Sequence, residues 1–225
     1  MYKRSDGVWT QRAKLVGTGA IGKPGQGWSV SLSGSGNTAI VGGYFDNDDT
    51  GAAWVHRRSG PVWKQQAKLI AAGSFTLGLS VSLSGDGNTA IVGGPTDNDV
   101  AGAVWVFKRS GGVWTQQGPK LVGTGAIGIA LQGNSVALSR KGRTAIVGGP
   151  ADNGGVGAAW VYTQTIFAGT PGKSNCYGQS VSALAQQFGG LNAAAAGTGF
   201  PSISALQNAI LAYCDGSDQV ASTLR

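Results

Sequence analysis

The sequence has 225 residues, of which 40 are glycine, 41% are hydrophobic and only 12% carry a charge. So much glycine without a collagen-type period excludes a mainly helical protein and favours short strands joined by tight turns. No uninterrupted apolar stretch approaches about 18 residues, so no membrane span is expected. The net charge of +7 suits anionic partners, or serves only to keep the surface soluble.

Three copies of one unit follow one another along residues 1–162. The central piece reads SVSLSGSGNTAIVGG from Ser29, SVSLSGDGNTAIVGG from Ser80 and SVALSRKGRTAIVGG from Ser135. Each copy continues through an Asp-Asn pair into a Gly-Ala-x-Trp-Val segment, and each is preceded by a segment of the type VWTQRAKL.

Every piece of the unit has the pattern of a β-strand. Serines that alternate with apolar residues predict a strand A, and the apolar run Ala-Ile-Val predicts a buried strand B. The glycine-rich segment between them predicts a tight turn. The Trp-Val segment predicts strand C, and an Arg-Ser-Gly turn joins it to an outer strand D. The sequence therefore predicts four antiparallel strands in each unit.

The segment LVGTGAIG occurs at residues 15–22 and again at residues 121–128, and it contains the Gly-x-Gly-x-x-Gly spacing of dinucleotide-binding loops. Such a loop must lead from a parallel strand into a helix whose N-terminal amides hold the pyrophosphate. The first copy leads instead into a Pro-Gly loop and an alternating strand. The segment is therefore predicted to connect strand D to the next strand A, and no cofactor is expected.

The order of these pieces resembles the FG-GAP repeat, the blade unit of integrin-α-type β-propellers. The second copy shows the order in Ser80-Val-Ser-Leu, Gly85-Asp-Gly-Asn, Ala90-Ile-Val-Gly-Gly-Pro and Gly102-Ala-Val-Trp-Val. The resemblance covers residues 1–162 and implies a mainly β chain with three β-propeller blades, each a four-stranded antiparallel unit. A β-trefoil, which also has three four-stranded units, is the alternative fold.

Three blades are too few to close a ring, since closed propellers use four or more. The chain starts with the end of a strand C and a strand D, and the third copy stops after strand C at Tyr162. The initial strand D could complete the third blade by an exchange of termini. Two chains could instead pair into a six-bladed ring, or earlier blades of a longer protein could precede this chain. The start within a repeat favours the longer protein.

Blades of this family often bind calcium in the turn between strands A and B, where aspartates supply oxygen ligands. The three turns here read SGSGN, SGDGN and SRKGR, and they offer only Asp86, with Asn88 as a weak second ligand. No calcium or other metal site is therefore predicted in these turns.

The antiparallel order separates charges of opposite sign. Basic residues occur mainly in the A–B and C–D turns, and aspartates occur mainly in the B–C loops. Nucleic acid is not an expected partner, because no reading helix or exposed aromatic residue accompanies the basic residues. The Asp-Asn pairs of the B–C loops either close turns or contact a partner. With Trp28, the candidate ligand-binding residues at this end are Asp46, Asn47, Asp48, Asp49, Asp97, Asn98, Asp152 and Asn153.

Six of the seven tryptophans repeat between the copies, at one position on strand C and one on strand D. Repeated tryptophans are predicted to fill the space between blades. Trp28 has no counterpart, because Leu79 and Asn134 replace it, and it is the better candidate for an exposed contact.

Residues 163–225 differ in pattern, with apolar residues at helical spacing, and they predict a small helical tail. Cys176 and Cys214 flank its two predicted helices. One disulfide is the simplest interpretation and implies an oxidising compartment, with two buried free thiols as the alternative. The tail is similar to short cysteine-flanked tails of bacterial secreted proteins, and a secreted, surface or periplasmic location is expected.

Catalysis has little support in the sequence, which contains no glutamate, one histidine and no carboxylate pair beside a nucleophile. No catalytic residue is therefore predicted. The first hypothesis is a non-enzymatic extracellular or surface module for interaction or adhesion, which binds a protein or glycan partner. The second is a carbohydrate-binding lectin that uses Trp28 and loop residues, and the third is a hydrolase hosted on the propeller.

Overall fold

The computed structural model describes residues 1–164, 172–197, 200 and 202–215. The chain divides into two compact units, Met1–Val161 and Tyr162–Arg225. The first unit, here called the sheet region, is built of β-strands, and the second, the helical tail, is built of α-helices. Within the described residues, no helix has the length and apolar character needed to span a membrane.

The sheet region contains three repeated meanders and one separate hairpin. Each meander is antiparallel, and strands that follow one another in sequence are neighbours in space. The hairpin consists of β1 (Tyr2–Ser5) and β2 (Val8–Gln11). Blade 1 consists of β3 (Ser29–Leu32), β4 (Thr38–Gly43), β5 (Ala52–Ser59) and β6 (Val62–Leu69). Blade 2 consists of β7 (Ser80–Leu83), β8 (Thr89–Gly94), β9 (Ala103–Ser110) and β10 (Val113–Gln116). Blade 3 consists of β11 (Ser135–Leu138), β12 (Thr144–Gly149) and β13 (Ala158–Thr163).

The predicted fold class is confirmed, since the chain is mainly β, with blade-like antiparallel meanders followed by helices. The first strands of the blades lie next to one another, with β3 and β11 both contacting β7. This arrangement is that of propeller blades around an axis and not that of a β-trefoil. Blade 3 differs from the prediction because its described residues supply only three strands. Strand β2 pairs with β1 and does not complete that sheet.

In blades 1 and 2, the Gly-Gly pair that ends the second strand is required by close contacts. In blade 2, a Cβ atom on Gly94 would collide with the carbonyl oxygen of Phe75 and press on the ring of Trp105 in the neighbouring strand. A Cβ atom on Gly93 would collide with the carbonyl oxygen of Gly133, which lies just before blade 3. The first glycine therefore admits the next blade, and the second admits the blade's own tryptophan.

Each copy of the LVGTGAIG segment packs against the indole ring of a strand C tryptophan. A Cβ atom on Gly17 would overlap the indole ring of Trp54, and the Nε1 atom of that ring donates a hydrogen bond to the carbonyl of Thr18 at 2.9 Å. Gly123 lies against Trp160 in the same way. Because the first copy precedes a strand and holds an indole, the dinucleotide interpretation is excluded.

Two single-turn segments, α1 (Asp46–Asp49) and α2 (Asp152–Gly155), lie between strands of blades 1 and 3. The helical tail contains α3 (Cys176–Phe188), α4 (Leu191–Gly197) and α5 (Ile203–Asp215). Leu184, Leu206 and Ile210 form its buried centre. The predicted disulfide is present and joins Cys176, at the start of α3, to Cys214, near the end of α5, with a Cα–Cα distance of 5.7 Å. This single covalent link therefore ties the first and last helices of the tail together.

His56 is a buried titratable side chain in β5, with 3% of its surface exposed. Neither ring nitrogen has a hydrogen-bond partner in the described part of the chain. Burial lowers the pKa of His56 below its ordinary value, and the Val16 backbone opposes this effect only in part. Phe107, at the equivalent position of blade 2, is equally buried, so the position favours an uncharged ring.

We expect the free energy of unfolding to fall as the pH drops from about 7 to about 5, because the unfolded chain then binds a proton that folded His56 resists. Above about pH 6.5 the His56 side chain is mostly uncharged in the unfolded chain as well, so its protonation no longer lowers the free energy of unfolding. The substitution His56→Phe should remove this part of the pH dependence and raise the melting temperature at pH 5. Thermal melting at both pH values measures the effect, and equal pH slopes in the two proteins would contradict it.

Candidate binding surface

Asp46 ties the loop before β3 to the turn after β4. Its side chain is 1% exposed; one carboxylate oxygen accepts a hydrogen bond from the backbone N–H of Ile21 at 2.8 Å. The other oxygen lies 2.6 Å from Nζ of Lys68, which also donates to the carbonyl of Gly19 at 2.7 Å. The carboxylate is therefore a buried, charge-compensated link between two loops.

The hydrogen bond from a loop N–H recurs in both other blades, and the ion pair with lysine recurs in blade 2. Asp97 accepts a hydrogen bond from the N–H of Phe75 at 3.1 Å and forms an ion pair with Lys120. Asp152 accepts a hydrogen bond from the N–H of Ile127 at 2.7 Å. Because these carboxylates are engaged within the chain, their geometry favours the turn-closing role over direct contact with a ligand.

The asparagines of the Asp-Asn pairs adopt a left-handed backbone conformation, which accounts for asparagine at these positions. Asn47, Asn98 and Asn153 have φ values of 51°, 54° and 51°, in the left-handed region that asparagine adopts more readily than most residues. Two of them lie within single-turn segments, α1 (Asp46–Asp49) and α2 (Asp152–Gly155), whose interior residues are not helical. All three are exposed, so their side chains remain accessible.

Blade 1 carries an aromatic cluster that the other blades lack. The ring centroids of Trp28 and Tyr44 lie 4.8 Å apart in an edge-on arrangement, and those of Tyr44 and Phe45 lie 3.9 Å apart. Trp28 is 59% exposed and Phe45 is 44% exposed. We call Trp28, Tyr44 and Phe45 the aromatic cluster. The exposed Asp48 and Asp49 follow it in the same turn.

Backbone contacts hold the aromatic cluster in place. The N–H of Phe45 donates to the carbonyl of Pro24 at 3.3 Å, and the N–H of Asn47 donates to the carbonyl of Ile21 at 3.1 Å. Together with the Asp46 link, these bonds fasten the turn that carries the cluster to the loop before Trp28. The exposed rings are therefore displayed by a braced pair of loops.

Sequence reasoning identified Trp28 but missed Tyr44 and Phe45. The signal was available, because the other copies have Pro-Thr or Pro-Ala at these two positions. Trp28 is recognisable as a tryptophan without a counterpart in the other copies. Tyr44 and Phe45 directly precede the Asp-Asn pair, and the repetition of that pair hides the difference between the copies at these two positions. A comparison of the copies residue by residue would have found all three.

The equivalent loops of blade 2 form an open depression of about 510 Å³. Phe75, Asp97 and Asn98 line it together with Lys120. It brings two of the predicted ligand-binding residues together, but the Asp97 carboxylate is already paired with Lys120. The exposed groups that remain at its surface are the ring of Phe75, the hydroxyl of Thr96, the amide of Asn98 and the carboxylate of Asp99.

The basic end of the blades is braced by its own turns. Arg58 donates two hydrogen bonds to Oδ1 of Asn37, at 3.0 and 2.7 Å, and Arg109 binds Oδ1 of Asn88 in the same way. These pairs connect the C–D hairpin of a blade to its A–B turn. Two of the basic side chains therefore have a structural role.

The A–B turn of blade 2 is closed by hydrogen bonds among its own residues. Asp86 accepts hydrogen bonds from the hydroxyl of Ser84 at 2.5 Å and from the N–H of Asn88 at 3.0 Å. Partial burial raises the pKa of Asp86, but these hydrogen bonds outweigh it and hold that pKa below its ordinary value. Over the residues with described positions, no group of three or more His, Cys, Asp or Glu side chains could hold a metal ion.

Three solved structures to which the chain is similar have low sequence identity to it. The periplasmic gluconolactonase PpgL of Pseudomonas aeruginosa is 17% identical, with a TM-score of 0.48 over 72% of this chain and 45% of that one. Saccharomyces cerevisiae Sqt1 is 14% identical, with a TM-score of 0.44 over 64% and 33%. Kuenenia stuttgartiensis hydrazine synthase is 14% identical, with a TM-score of 0.38 over 60% and 32%. The chain thus spans less than half the length of each.

The family comparison concerns blade 1 and the segment before it. No curated protein matches the chain. Residues 9–56 match the family model of the FG-GAP repeat. The matched segment runs from β2 to β5 and so includes the covering loop, the aromatic cluster and the Asp46 link. Blades 2 and 3 repeat the same strand order and the same Gly-Gly pair. Residues 9–56 therefore match an FG-GAP repeat, in agreement with the resemblance seen in the sequence, and blades 2 and 3 are similar to that segment.

Proposed function

We propose that this chain is a non-catalytic interaction module that binds a protein or glycan partner through the aromatic cluster of blade 1. The observation that carries the proposal is the exposure of Trp28 and Phe45 on braced loops, in a blade whose counterparts have no such rings. Large, rigid aromatic side chains dominate binding energy at interfaces because they bury much area at little entropic cost.

A carbohydrate ligand is the second candidate, and a specific observation favours it. Sugars bind to proteins by stacking on exposed aromatic faces while carboxylates accept hydrogen bonds from their hydroxyls. Trp28 and Phe45 offer such rings, and Asp48 and Asp49 offer exposed carboxylates in the same turn. Asp46 would act as a positioning residue, since its carboxylate is engaged by the chain.

An extracytoplasmic location belongs to the same proposal. The disulfide between Cys176 and Cys214 uses both cysteines of the chain and is typical of an oxidising compartment. A hydrolase is not proposed, because the buried aspartates are occupied by backbone N–H groups or lysine and none lies beside a nucleophile in the contacts described.

The substitution Trp28→Ala is expected to weaken partner binding by a factor of about 30 or more, as for an interface hot spot. The probes are a printed glycan array and a panel of purified extracellular proteins. Val113→Ala is the control, because Val113 is 65% exposed and lies outside the cluster. Binding that tolerates Trp28→Ala as well as Val113→Ala would contradict the proposal, and a response confined to glycans would favour the lectin.

A further inference from the structure

Neighbouring blades are joined by contacts that recur at both junctions. We call the side of a blade that meets the following blade its trailing face, and the side that meets the preceding blade its leading face. A serine hydroxyl, a backbone N–H and a parallel bridge recur at each junction. These contacts are Ser29 to Gly78, Gly34 to Gly85 and Gly51 to Leu77 between blades 1 and 2, and Ser80 to Gly133, Gly85 to Arg140 and Gly102 to Gln132 between blades 2 and 3.

The leading face of blade 1 is uncovered. Val30 is 68% exposed and Leu32 is 50% exposed, whereas their counterparts Val81 and Leu83 in blade 2 are 8% and 6% exposed. The strands have the same sequence, Ser-Val-Ser-Leu. The exposed residues of blade 1 are therefore an apolar surface that a preceding blade would cover.

The trailing face of blade 3, which corresponds to the opposite side of a junction, is also uncovered. Ile146 is 46% exposed and Val161 is 62% exposed, whereas their counterparts Ile91 and Val106 in blade 2 are 0% and 5% exposed. This face has the composition of a blade-to-blade contact and lacks a following blade among the residues that the structure describes.

Gly148 indicates what the trailing face of blade 3 is built to receive. Its counterparts Gly42 and Gly93 must be glycine because a Cβ atom would collide with a backbone carbonyl of the following blade. At Gly148 a Cβ atom would press only on the rotatable hydroxyl of Ser135. Its φ is not in the left-handed region, so the backbone does not demand glycine either. Gly148 therefore leaves room for a following blade, although no such blade is present among the residues that the structure describes.

The outer strands show the same complementarity. Blade 3 has three strands in its described part, without a strand D. Residues 8–15, VWTQRAKL, match the strand D sequence VWKQQAKL of blade 1, yet only residues 8–11 form a strand, and they pair with β1. Residues 8–15 therefore hold a strand D sequence that is not paired with a blade, and the described part of blade 3 has no strand D.

We propose that the leading face of blade 1 docks on the trailing face of blade 3 in a second copy of this chain, and that two copies close a ring of six blades. The new junction would repeat the junctions inside each chain, and residues 8–15 of one copy would supply the outer strand of blade 3 in the other. Six blades lie within the range of closed propellers, whereas three do not. A head-to-tail contact that closes by rotation gives a finite assembly.

The proposed junction between two copies lacks one hydrogen bond that both junctions within the chain contain. The hydroxyls of Ser31 and Ser82 each accept a hydrogen bond from a backbone N–H of the following blade, at 3.0 Å. Ala137 occupies this position in blade 3. The junction between copies is therefore weaker than the internal ones, and Ala137→Ser should strengthen it several-fold.

The proposed ring is independent of the partner-binding surface. The counterparts of Trp28 in the other blades are Leu79, which is half-buried, and Asn134, which is exposed, although a blade precedes each of them. The aromatic cluster should therefore stay accessible in the dimer. Loss of dimerisation and loss of partner binding are separate outcomes.

The molar mass in solution tests the proposal. Light scattering across a concentration series should give twice the 22.6 kDa of the chain at high concentration. The double substitution Val30→Asp and Leu32→Asp should weaken dimerisation by about 100-fold or more without lowering the melting temperature of the monomer. Val113→Asp is the control, because Val113 is 65% exposed at a hairpin turn away from both faces.

Mixing variants tests the head-to-tail geometry. Gly148→Ala, or Ile146→Asp should the first not fold, blocks only the trailing face, and Val30→Asp with Leu32→Asp blocks only the leading face. Each variant alone should be monomeric, and an equimolar mixture should form a one-to-one dimer through the one intact junction. A wild-type monomer at all concentrations, an open-ended polymer, or a mixture that stays monomeric would overturn the ring.

Discussion

The substitution Trp105→Ala is expected to lower the free energy of unfolding by about 3–5 kcal/mol, the cost of removing a large aromatic side chain from a packed interior. Trp105 is 2% exposed and belongs to the same buried cluster as Leu77 and Phe107. Its ring lies against Gly94, which leaves no side chain nearby to refill the cavity from that direction. The remaining void should therefore collapse only in part.

Urea unfolding followed by circular dichroism measures this effect. Trp28→Ala is the matched control, because the same change at a side chain that is 59% exposed should cost less than about 1 kcal/mol. Equal losses at the two positions would mean that the blades do not bury their strand C tryptophans as described.

Loss of the disulfide is expected to destabilise the helical tail by about 2–4 kcal/mol. The bridge spans 38 positions, and closing a loop of that length removes much of the conformational entropy of the unfolded chain. The tail has a small core of five buried residues, so little else compensates. Urea unfolding of the helical circular dichroism signal, with and without reductant, measures the difference.

The double substitution Cys176→Ser and Cys214→Ser separates the bridge from side effects of the reductant. Because the chain has no other cysteine, the reductant should not change the stability of this variant. A tail that is equally stable with and without the bridge would show that helix packing alone holds it.

Local patterns were sufficient for the strands and the repeats. Serine that alternates with valine and leucine predicts a strand because side chains on a strand alternate between two faces, and the structure forms β3, β7 and β11 at these places. The identity of the bridge followed from the cysteine count, since the chain offers no pair other than Cys176 and Cys214, and the structure decided that the two form a disulfide. The strands and turns depend on neighbours in sequence.

The role of the repeated aspartates could not be read from the same patterns. Asp-Asn closes turns and also presents oxygens to ligands, so both interpretations stay open in the sequence. The N–H of Ile21 that engages Asp46 lies 25 positions away, and the same separation joins Ile127 to Asp152. Only a fold that brings the two loops together can occupy the carboxylate.

The sequence by itself determined that the segment Ser-Val-Ser-Leu forms the first strand of a blade, in blade 1 and in blade 2 alike. Only the tertiary structure decided that Val81 is buried and that Val30, with the same local sequence, is exposed. The physical reason is that strand formation follows from local side-chain alternation, whereas burial depends on whether another blade covers that face.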